Sequence, residues 1–341
     1  MTKEYKYMVR TYCATYNHEP YILDALKGFV MQQTNFPMVF TIVDDASTDR
    51  NAEVIRCFVN ENFDLLDTSV AFVEDMDYGH VTFAQHRTNR NCFFAVVFLK
   101  ENHYSQHKSK AQYIQRWMDA KYIALCEGDD YWTDPLKLKK QVEFLEDHEE
   151  YSMCFHKAAV LDYLGKGCWL HCFDIENRDY SGDEFISQWI VPTNSVLYRS
   201  ECSNYPIIHR EKIMNGDIVI VLSCAQMGKV RGMSDCMSVY RIHQEGVTYD
   251  PAKQHERTMR YPEHFECIRD NFPMISKNVI DRLLGLHYYY RSLIQIDKKL
   301  QKSDYETAML YIPQILKQKR KEELKHGIKK VLSFPFHRIF S

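Results

Sequence analysis

The chain has 341 residues, of which 45% are hydrophobic and 26% are charged, and this composition excludes a disordered or collagen-like protein. Its formal net charge of −3 argues against a protein that binds nucleic acid through a broadly basic surface. The longest strongly apolar stretch covers only residues 92–99, whereas a membrane-spanning helix needs about 20 residues. We therefore expect a globular chain, with a length typical of two domains.

The first half of the chain alternates strand-like and helix-like segments. Short, almost wholly apolar runs indicate buried strands, and apolar residues at intervals of three to four positions indicate helices. The predicted strands cover residues 7–14, 38–43, 70–73, 92–100 and 122–126, and the predicted helices cover residues 21–33, 52–63 and 111–120. This alternation predicts an α/β fold with a mainly parallel sheet and right-handed crossovers.

The second half begins with a predicted helix that Asp134 would cap and in which Pro135 would take the first position. Further strands are predicted at residues 151–161, 195–198 and 236–242, and further helices at residues 183–190 and 217–227. From about residue 251 the pattern is helical, without a strand signal. We therefore divide the chain into an α/β domain, residues 1–250, and a helical C-terminal region, residues 251–341.

Polar clusters follow three of the predicted strands. They lie at residues 15–17, at residues 44–45 and at residues 127–130. In parallel sheets, ligands bind beyond the carboxyl ends of the strands. Each cluster alone is a weak signal, but three of them at equivalent strand ends predict one binding site.

The third cluster places the carboxylates of Glu127, Asp129 and Asp130 within four residues. Like charges so close together repel one another unless a cation compensates them. Mg²⁺ and Mn²⁺ suit that role, since they take one or two carboxylates together with ligand phosphates. A solvated acidic turn is the alternative, but the cluster follows an apolar strand and is flanked by Tyr131 and Trp132. We therefore expect a divalent metal site.

Asp45, in the second cluster, can accept a hydrogen bond from a base N–H or a ribose hydroxyl. The alternative is that this carboxylate is solvated while Ser47 or Asp49 caps the following helix, and for Asp49 the cap is the favoured interpretation. Lys108 and Lys110 could contact phosphates, although a solvated basic loop is the simpler interpretation. These residues extend the predicted site towards a nucleotide.

The ordered motifs resemble those of family 2 glycosyltransferases, most closely the bacterial enzymes of surface-polysaccharide assembly. The resemblance rests on Thr-Tyr-Asn at residues 15–17, Val-Asp-Asp-Ala-Ser-Thr-Asp at residues 43–49 and Cys-Glu-Gly-Asp-Asp-Tyr-Trp at residues 126–132. It continues through residues 193–195, 216–217 and 240–243. Since the motifs recur in order, the set is far more specific than any one of them.

The resemblance implies the glycosyltransferase A fold, which is a Rossmann-like sheet flanked by helices, here with a helical C-terminal extension. It also implies an inverting transfer from a nucleotide sugar, most simply a UDP-sugar, to a hydroxyl of a glycan or lipid-linked acceptor. Processive members of the family carry Gln-X-X-Arg-Trp after the catalytic base. This chain has only Gln-Arg-Trp at residues 115–117, before the acidic cluster, so we expect the addition of a single sugar.

The resemblance assigns roles to individual residues. Asp217 matches the catalytic base, with helix capping as its alternative, and His243 matches a metal or diphosphate ligand, with a packed strand-end histidine as its alternative. The donor-binding candidates are Thr15, Tyr16, Asn17, Asp45, Glu127, Asp129 and Lys110. The acceptor-side candidates are Trp132, Thr193 and Asn194, and the metal candidates are Asp129, Asp130 and His243. Glu127 replaces the more usual Asp, which leaves open which carboxylate touches the metal.

Two other functions remain as alternatives. A nucleotidyltransferase would need a Gly-rich phosphate loop with basic residues after the first strand, and residues 15–20 contain neither glycine nor lysine. A catalytically inactive scaffold that binds nucleotide sugars would also retain the acidic positions. Turnover of a nucleotide sugar separates these alternatives from a glycosyltransferase.

Several features bear on the cellular compartment. Residues 1–10 lack the apolar run of a signal peptide, and eleven cysteines without such a signal are typical of reduced cytosolic thiols. Cys168, His171 and Cys172 lack a second pair of zinc ligands, so partly buried thiols are the simpler interpretation. Residues 317–341 interleave basic and large apolar side chains, which suits either the membrane interface or docking on the protein's own helices. We expect a cytoplasmic protein that is peripheral on the inner face of the plasma membrane.

Overall fold

A computed structural model describes residues 4–162, 168–243, 254–313 and 315–316. Within these ranges the chain divides into two compact units. The sheet unit contains the described residues within 4–179 together with residues 191–202 and 228–243, and the helical unit contains residues 180–190, 203–227 and the described residues from 254 onwards. The predicted boundary near residue 250 stays a prediction, because residues 244–253 lie outside the described ranges.

The sheet unit is built on a mixed sheet. Its strands are β1 (Tyr7–Thr15), β2 (Met38–Asp44), β3 (Phe63–Asp64), β4 (Phe72–Met76), β5 (Gly79–His86), β6 (Cys92–Leu99), β7 (Ala120–Leu125), β8 (Tyr131–Trp132), β9 (Tyr151–Asp162), β10 (Cys168–Cys172), β11 (Asp179–Tyr180), β12 (Leu197–Arg199) and β13 (Lys229–Ile242). Its helices are α1 (Ile22–Val30), α2 (Asn51–Asn62) and α3 (Lys137–Asp147), with a 3₁₀ helix at Ala111–Trp117. The strand order along the sheet is β11-β13-β9-β12-β7-β1-β2-β6-β5-β3.

The centre of this sheet is parallel, as the sequence predicts. β1 pairs in parallel with β2 and β7, and β2 pairs in parallel with β6. Every residue of β2 is buried, which explains its almost wholly apolar sequence. In the register of β1 and β2, Thr15 lies opposite Asp44. The first two polar clusters therefore start at the same edge of the sheet.

Local differences from the predicted elements have physical reasons. β5 is absent from the predictions, and it runs antiparallel to β4 and β6. Gly79 allows that pairing, since a Cβ there would lie 2.0 Å from the carbonyl oxygen of Phe98. The predicted helix at residues 111–120 is the shorter 3₁₀ helix, because β7 begins at Ala120. α3 begins at Lys137 rather than at the predicted Pro135.

The helical unit contains α4 (Gly182–Ser187), α5 (Gly216–Met227), α6 (Gln254–Asn271), α7 (Lys277–Ile294) and α8 (Lys298–Tyr311). The described residues from 254 onwards therefore form helices joined by short connections, as predicted. α7 and α8 are joined by a bidentate ion pair, in which the guanidinium of Arg291 donates to both carboxylate oxygens of Asp304 at 2.8 and 2.9 Å. None of the helices in the described ranges combines the length and apolarity needed to cross a membrane.

Candidate functional site

The loop after β7 packs directly on the end of β1. The backbone N–H of Gly128 donates to the carbonyl of Ala14 at 2.9 Å. A Cβ at position 128 would lie 2.6 Å from the Cβ of Thr15 and 3.1 Å from Nδ1 of His18. Glycine is therefore required at this point. Because it has no side chain, the loop after β7 (residues 127–130, the acidic loop) can lie directly against the loop that follows β1.

This approach assembles a cluster of His18, Asp129 and His243. One possible ligand atom of each residue lies within 4.8 Å of those of the other two. Nε2 of His243 lies 3.0 Å from Oδ2 of Asp129, and Nε2 of His18 lies 3.9 Å from the same oxygen. The two imidazole rings are perpendicular, with centroids 5.9 Å apart. The cluster thus joins the loop after β1, the loop after β7 and the end of β13.

Asp129 is the centre of this cluster. Among the described residues, its second carboxylate oxygen, Oδ1, is buried without a hydrogen-bond partner. Burial alone would raise the pKa of Asp129, but the hydrogen bond with His243 and the nearby His18 hold that pKa below its ordinary value. The side chains of His18 and Asp129 each keep 16% of their surface exposed, so the cluster opens to solvent.

The neighbouring carboxylates have other environments. Asp130 is buried, and its Oδ1 accepts the backbone N–H of Arg241 at 2.8 Å. Burial and the charge of Asp129 raise the pKa of Asp130 well above its usual range, despite the nearby Arg241. Glu127 is exposed. Of the three carboxylates in the motif, Asp129 is therefore the one that lies with the two histidines.

Arg241 supports the acidic loop from β13. Its guanidinium donates to the carbonyl of Asp129 at 2.8 Å and to the carboxylate of Asp24 on α1. The same group lies over the rings of Tyr131 and Tyr21, at 4.3 and 5.2 Å from their centroids. These contacts fix the backbone that carries Asp129, because they hold it from both the strand and the helix side.

The second strand end is organised by Asp44. Its Oδ1 accepts hydrogen bonds from the hydroxyl of Ser47 at 2.5 Å and the amide of Asn51 at 2.6 Å, and Asn51 in turn accepts one from Thr15 at 3.1 Å. Asn17 has a positive φ of 56°, and its side-chain oxygen accepts the backbone N–H of Thr48 at 2.7 Å. Thr15 and Asn17, predicted to bind a donor, thus join the two loops.

Asp45 makes contacts that the sequence does not predict. Its two carboxylate oxygens accept the backbone N–H groups of His103 at 2.7 Å and Tyr104 at 2.9 Å. Nζ of Lys110 lies 2.9 Å from Oδ2. Although burial would raise it, these hydrogen bonds hold the pKa of Asp45 below its ordinary value. Asp45 and Lys110 therefore order the segment of residues 102–110, and contact with a nucleotide stays a prediction for both.

The predicted acceptor-side residues Trp132 and Asn194 lie in the interior. Trp132 is 1% exposed and Asn194 is 0% exposed. The indole N–H donates to the carbonyl of Asn194 at 2.8 Å, and the Asn194 side chain bonds to Ser238 and Val239 on β13 at 2.9 and 2.8 Å. Trp132 and Asn194 thus connect β8 to β13. Contact with an acceptor stays a prediction for both residues and for the partly buried Thr193. Tyr16, by contrast, is 40% exposed in the loop after β1 that also carries His18, and stacking on a base stays a prediction for it.

Asp217, the predicted base, belongs to the helical unit. It lies in the first turn of α5, and its Oδ1 accepts the N–H of Ile218 at 2.8 Å. Its predicted catalytic role is not tested by this local geometry. The side chains of Cys168, His171 and Cys172 and the tail from residue 317 lie outside the described residues.

His18 and Arg241 are the functional candidates that the sequence reasoning missed. Both lie within segments that the motifs already covered, residues 15–20 and 240–243. A signal was present for His18: it is a metal-ligating side chain three residues after a strand end, in the same cluster as Thr15. The residues present fit a divalent ion. Oδ2 of Asp129 lies near both imidazoles, Oδ1 of the same carboxylate has no hydrogen-bond partner among the described residues, and the cluster is open to solvent.

Comparison with curated proteins finds relatives but no assigned activity. No protein-family model matches the chain. Proteins of Mycobacterium bovis and Mycobacterium tuberculosis, each described as uncharacterised, are 31% identical to it over 239 residues, which cover 68% of this chain. The matched region spans 58% of the length of these relatives. The chain therefore spans little more than half the length of these relatives, and part of each relative is unmatched.

Comparison with solved structures identifies the fold. S. aureus TarS 1–349 in complex with UDP-GlcNAc superposes with a TM-score of 0.53 and 14% identity, covering 88% of this chain and 79% of TarS 1–349. The mannosyltransferase PcManGT from Pyrobaculum calidifontis, in complex with GDP-Man and Mn²⁺, superposes with a TM-score of 0.50 and 15% identity, covering 99% of this chain and 86% of its own. The protein therefore has the predicted glycosyltransferase A fold, a mainly parallel α/β sheet flanked by helices, with further helices towards its C-terminus.

Proposed function

We propose that the protein is a family 2 glycosyltransferase that acts in surface-polysaccharide biosynthesis. In this proposal it transfers one sugar, with inversion, from a nucleotide-sugar donor to a hydroxyl of a lipid-linked glycan, and the transfer requires a divalent metal. The observation that carries the proposal is the cluster of His18, Asp129 and His243 at the carboxyl edge of a glycosyltransferase A sheet. UDP-GlcNAc and GDP-Man in the two structural neighbours support a nucleotide-sugar donor, most simply a UDP-sugar.

The residues of the cluster have roles that follow from their environments. Asp129, His18 and His243 would hold the ion, which stabilises the charge that develops on the departing nucleoside diphosphate by several kcal/mol when bound. Arg241 holds the backbone of Asp129 in place. Tyr16 offers an exposed ring at the same edge for stacking against the base. Donor binding is thus assigned to the sheet unit.

The second half of the reaction needs a base. The acceptor hydroxyl attacks the anomeric carbon on the face opposite the departing diphosphate, and it must lose its proton as the new bond forms. A positioned carboxylate that takes this proton contributes about 10²- to 10⁴-fold to the rate. We assign this role to Asp217, on the motif match at residues 216–217.

A panel of nucleotide sugars with Mn²⁺ tests the proposal. We expect release of a nucleoside diphosphate from one donor, and calorimetry should show that UDP binds more weakly in excess EDTA. Equal UDP affinity with and without EDTA would remove the metal from the proposal. Release of pyrophosphate would indicate a nucleotidyltransferase, and binding without any turnover would indicate a scaffold.

The membrane is the expected location of a lipid-linked acceptor, and we include the basic, apolar tail in the proposal. Each basic residue near an anionic lipid surface contributes about 1 kcal/mol to attraction. We expect the full chain to co-sediment with anionic liposomes and a chain ending near Glu323 to do so less. If both proteins co-sediment equally, or if neither does, the tail would instead belong to the protein's own structure.

A further inference from the structure

Two of the three possible ligand atoms in the cluster are imidazole nitrogens, although the motif at residues 127–130 is acidic. We propose that His18, Asp129 and His243 form a metal site with two imidazoles and one carboxylate, which binds Co²⁺, Zn²⁺ or Mn²⁺ in preference to Mg²⁺ and does so without nucleotide. This inference deepens the proposed function, since it names the class of ion that the same site takes. It adds His18 to the ligands that the motif indicates.

The distances in the cluster suit a common ion. Ligand atoms about 2.0–2.2 Å from one ion lie about 3 Å apart at right angles and about 3.5 Å apart in a tetrahedron. Nε2 of His243 and Oδ2 of Asp129 are 3.0 Å apart, and Nε2 of His18 is 3.9 Å from that oxygen. Nε2 of His18 would therefore have to approach Oδ2 of Asp129 by about 0.4–0.9 Å to match these spacings.

The position of His18 is set by the fold rather than by a flexible loop. Its carbonyl accepts the backbone N–H groups of Tyr21 and Ile22, each at 2.9 Å, at the start of α1. A Cβ at Gly128 would lie 3.1 Å from its Nδ1, so the ring lies against the backbone of the acidic loop. Because the fold already positions these ligating side chains, they can bind an ion without a nucleotide to order them.

The choice of ion follows from the ligand types. Mg²⁺ prefers oxygen ligands and retains several waters, whereas imidazoles favour first-row transition metals and zinc. Among the described residues, the group of ligand atoms that lie within 4.8 Å of one another includes neither Glu127 nor Asp130. Oδ1 of the buried Asp130 instead accepts the backbone N–H of Arg241. Three protein ligands also leave coordination positions open for diphosphate oxygens.

Titration of metal alone tests this inference. Chelator-treated full-length protein, free of nucleotide, is titrated by calorimetry with Co²⁺, Mn²⁺, Zn²⁺ and Mg²⁺ separately, and visible absorption is recorded for Co²⁺. We expect one ion per chain, with Co²⁺ bound more tightly than Mn²⁺ and Mg²⁺ bound most weakly. His18→Ala should weaken Co²⁺ binding by at least about 10-fold and change the Co²⁺ spectrum, because losing even an outer partner of a ligand costs that much.

His80→Ala is the matched control, because His80 also faces a carboxylate, with Nδ1 2.8 Å from Asp75, but lies on β5. It should leave Co²⁺ affinity and spectrum unchanged. Mg²⁺ bound as tightly as Co²⁺, or Co²⁺ binding unaltered in both His18→Ala and His18→Gln, would overturn the inference. Sugar transfer is assayed separately, so a chain that transfers sugar but binds no Co²⁺ without nucleotide retains the proposed function and loses this site.

Discussion

Two regions of the molecule bring a pair of histidines together in opposite surroundings. In the sheet unit, His18 and His243 face the carboxylate of Asp129, and the cluster opens to solvent. In the helical unit, His264 and His287 both contact Phe265, with ring centroids 4.9 and 4.7 Å from it. The first pair has a charged partner, and the second is part of an aromatic core.

The electrostatics of the two pairs differ accordingly. Burial lowers the pKa of His264 to about 4 and that of His287 to about 3, so both are neutral at physiological pH. In the sheet unit, the histidines instead help to keep the pKa of Asp129 below its ordinary value. A carboxylate and access to solvent, rather than a pair of histidines, therefore distinguish a candidate ion site from a packed interior.

The largest expected effect comes from removing the carboxylate that distinguishes the two regions. Asp129→Asn keeps the shape of the side chain but removes the charge between the imidazoles, so turnover of the donor should fall by about 10³-fold. Steady-state kinetics with Mn²⁺ measure this effect. Asp75→Asn is the control, because Asp75 also pairs with a histidine but is exposed on β4. Comparable activity in the two variants would contradict the role of Asp129.

Asp217→Asn should have the next largest effect, and it tests whether the helical unit contributes chemistry as well as packing. Loss of a general base predicts a fall in turnover of about 10²-fold or more with donor affinity nearly unchanged. Kinetics and calorimetry with the donor measure the two quantities. Asp281→Asn, which changes an i,i+4 ion pair on α7, is the control. Near-normal turnover of Asp217→Asn would place the base elsewhere, with Asp183 and Glu184 as the next residues to test.

The sequence predicts the parts of the site that follow from local pattern. The ends of β1, β2 and β7 are visible as apolar runs that stop at polar residues, and parallel pairing then brings Thr15, Asp44 and the acidic loop to one edge. The position of His243 was implied by family resemblance, because periodicity does not specify that β13 returns beside β9. The partners of Asp45 could not be predicted, since residues 102–110 have no periodic pattern.

A substitution at Gly128 should have a smaller effect on the protein. It tests whether the cluster in the sheet unit depends on the close approach of the Gly128 backbone to Thr15. Gly128→Ala would force its Cβ to within 2.6 Å of the Thr15 side chain. Such overpacking typically costs 1–3 kcal/mol, roughly, in the free energy of unfolding, and here it also separates His18 from Asp129. Urea unfolding and Co²⁺ titration measure the two consequences. Gly216→Ala is the matched control, since the nearest atom to its Cβ is 3.7 Å away, and equal behaviour of both variants would show that the approach is not required.

The last prediction concerns the other side of the comparison, the neutral histidines of the helical unit, whose effect on stability arises only below neutral pH. The unfolded chain protonates His287 near its ordinary pKa, whereas the folded chain does so only at about 3. Between these two pH values the unfolded state binds more protons than the folded state. The contribution of His287 to the free energy of unfolding is therefore fully present above about pH 6.5. As the pH decreases below that value, the free energy of unfolding falls by at most about 1.4 kcal/mol per pH unit for this group. His287→Phe retains the stacking on Phe265 and should flatten the dependence of the free energy of unfolding on pH between about 6 and 4.

His148→Phe, which changes an exposed ring stacked on Phe144, is the matched control and should leave the slope unchanged. If both variants kept the slope of the wild type in urea unfolding, the histidines of the helical unit would not be the groups that titrate, and the contrast with the sheet unit would lose its electrostatic basis.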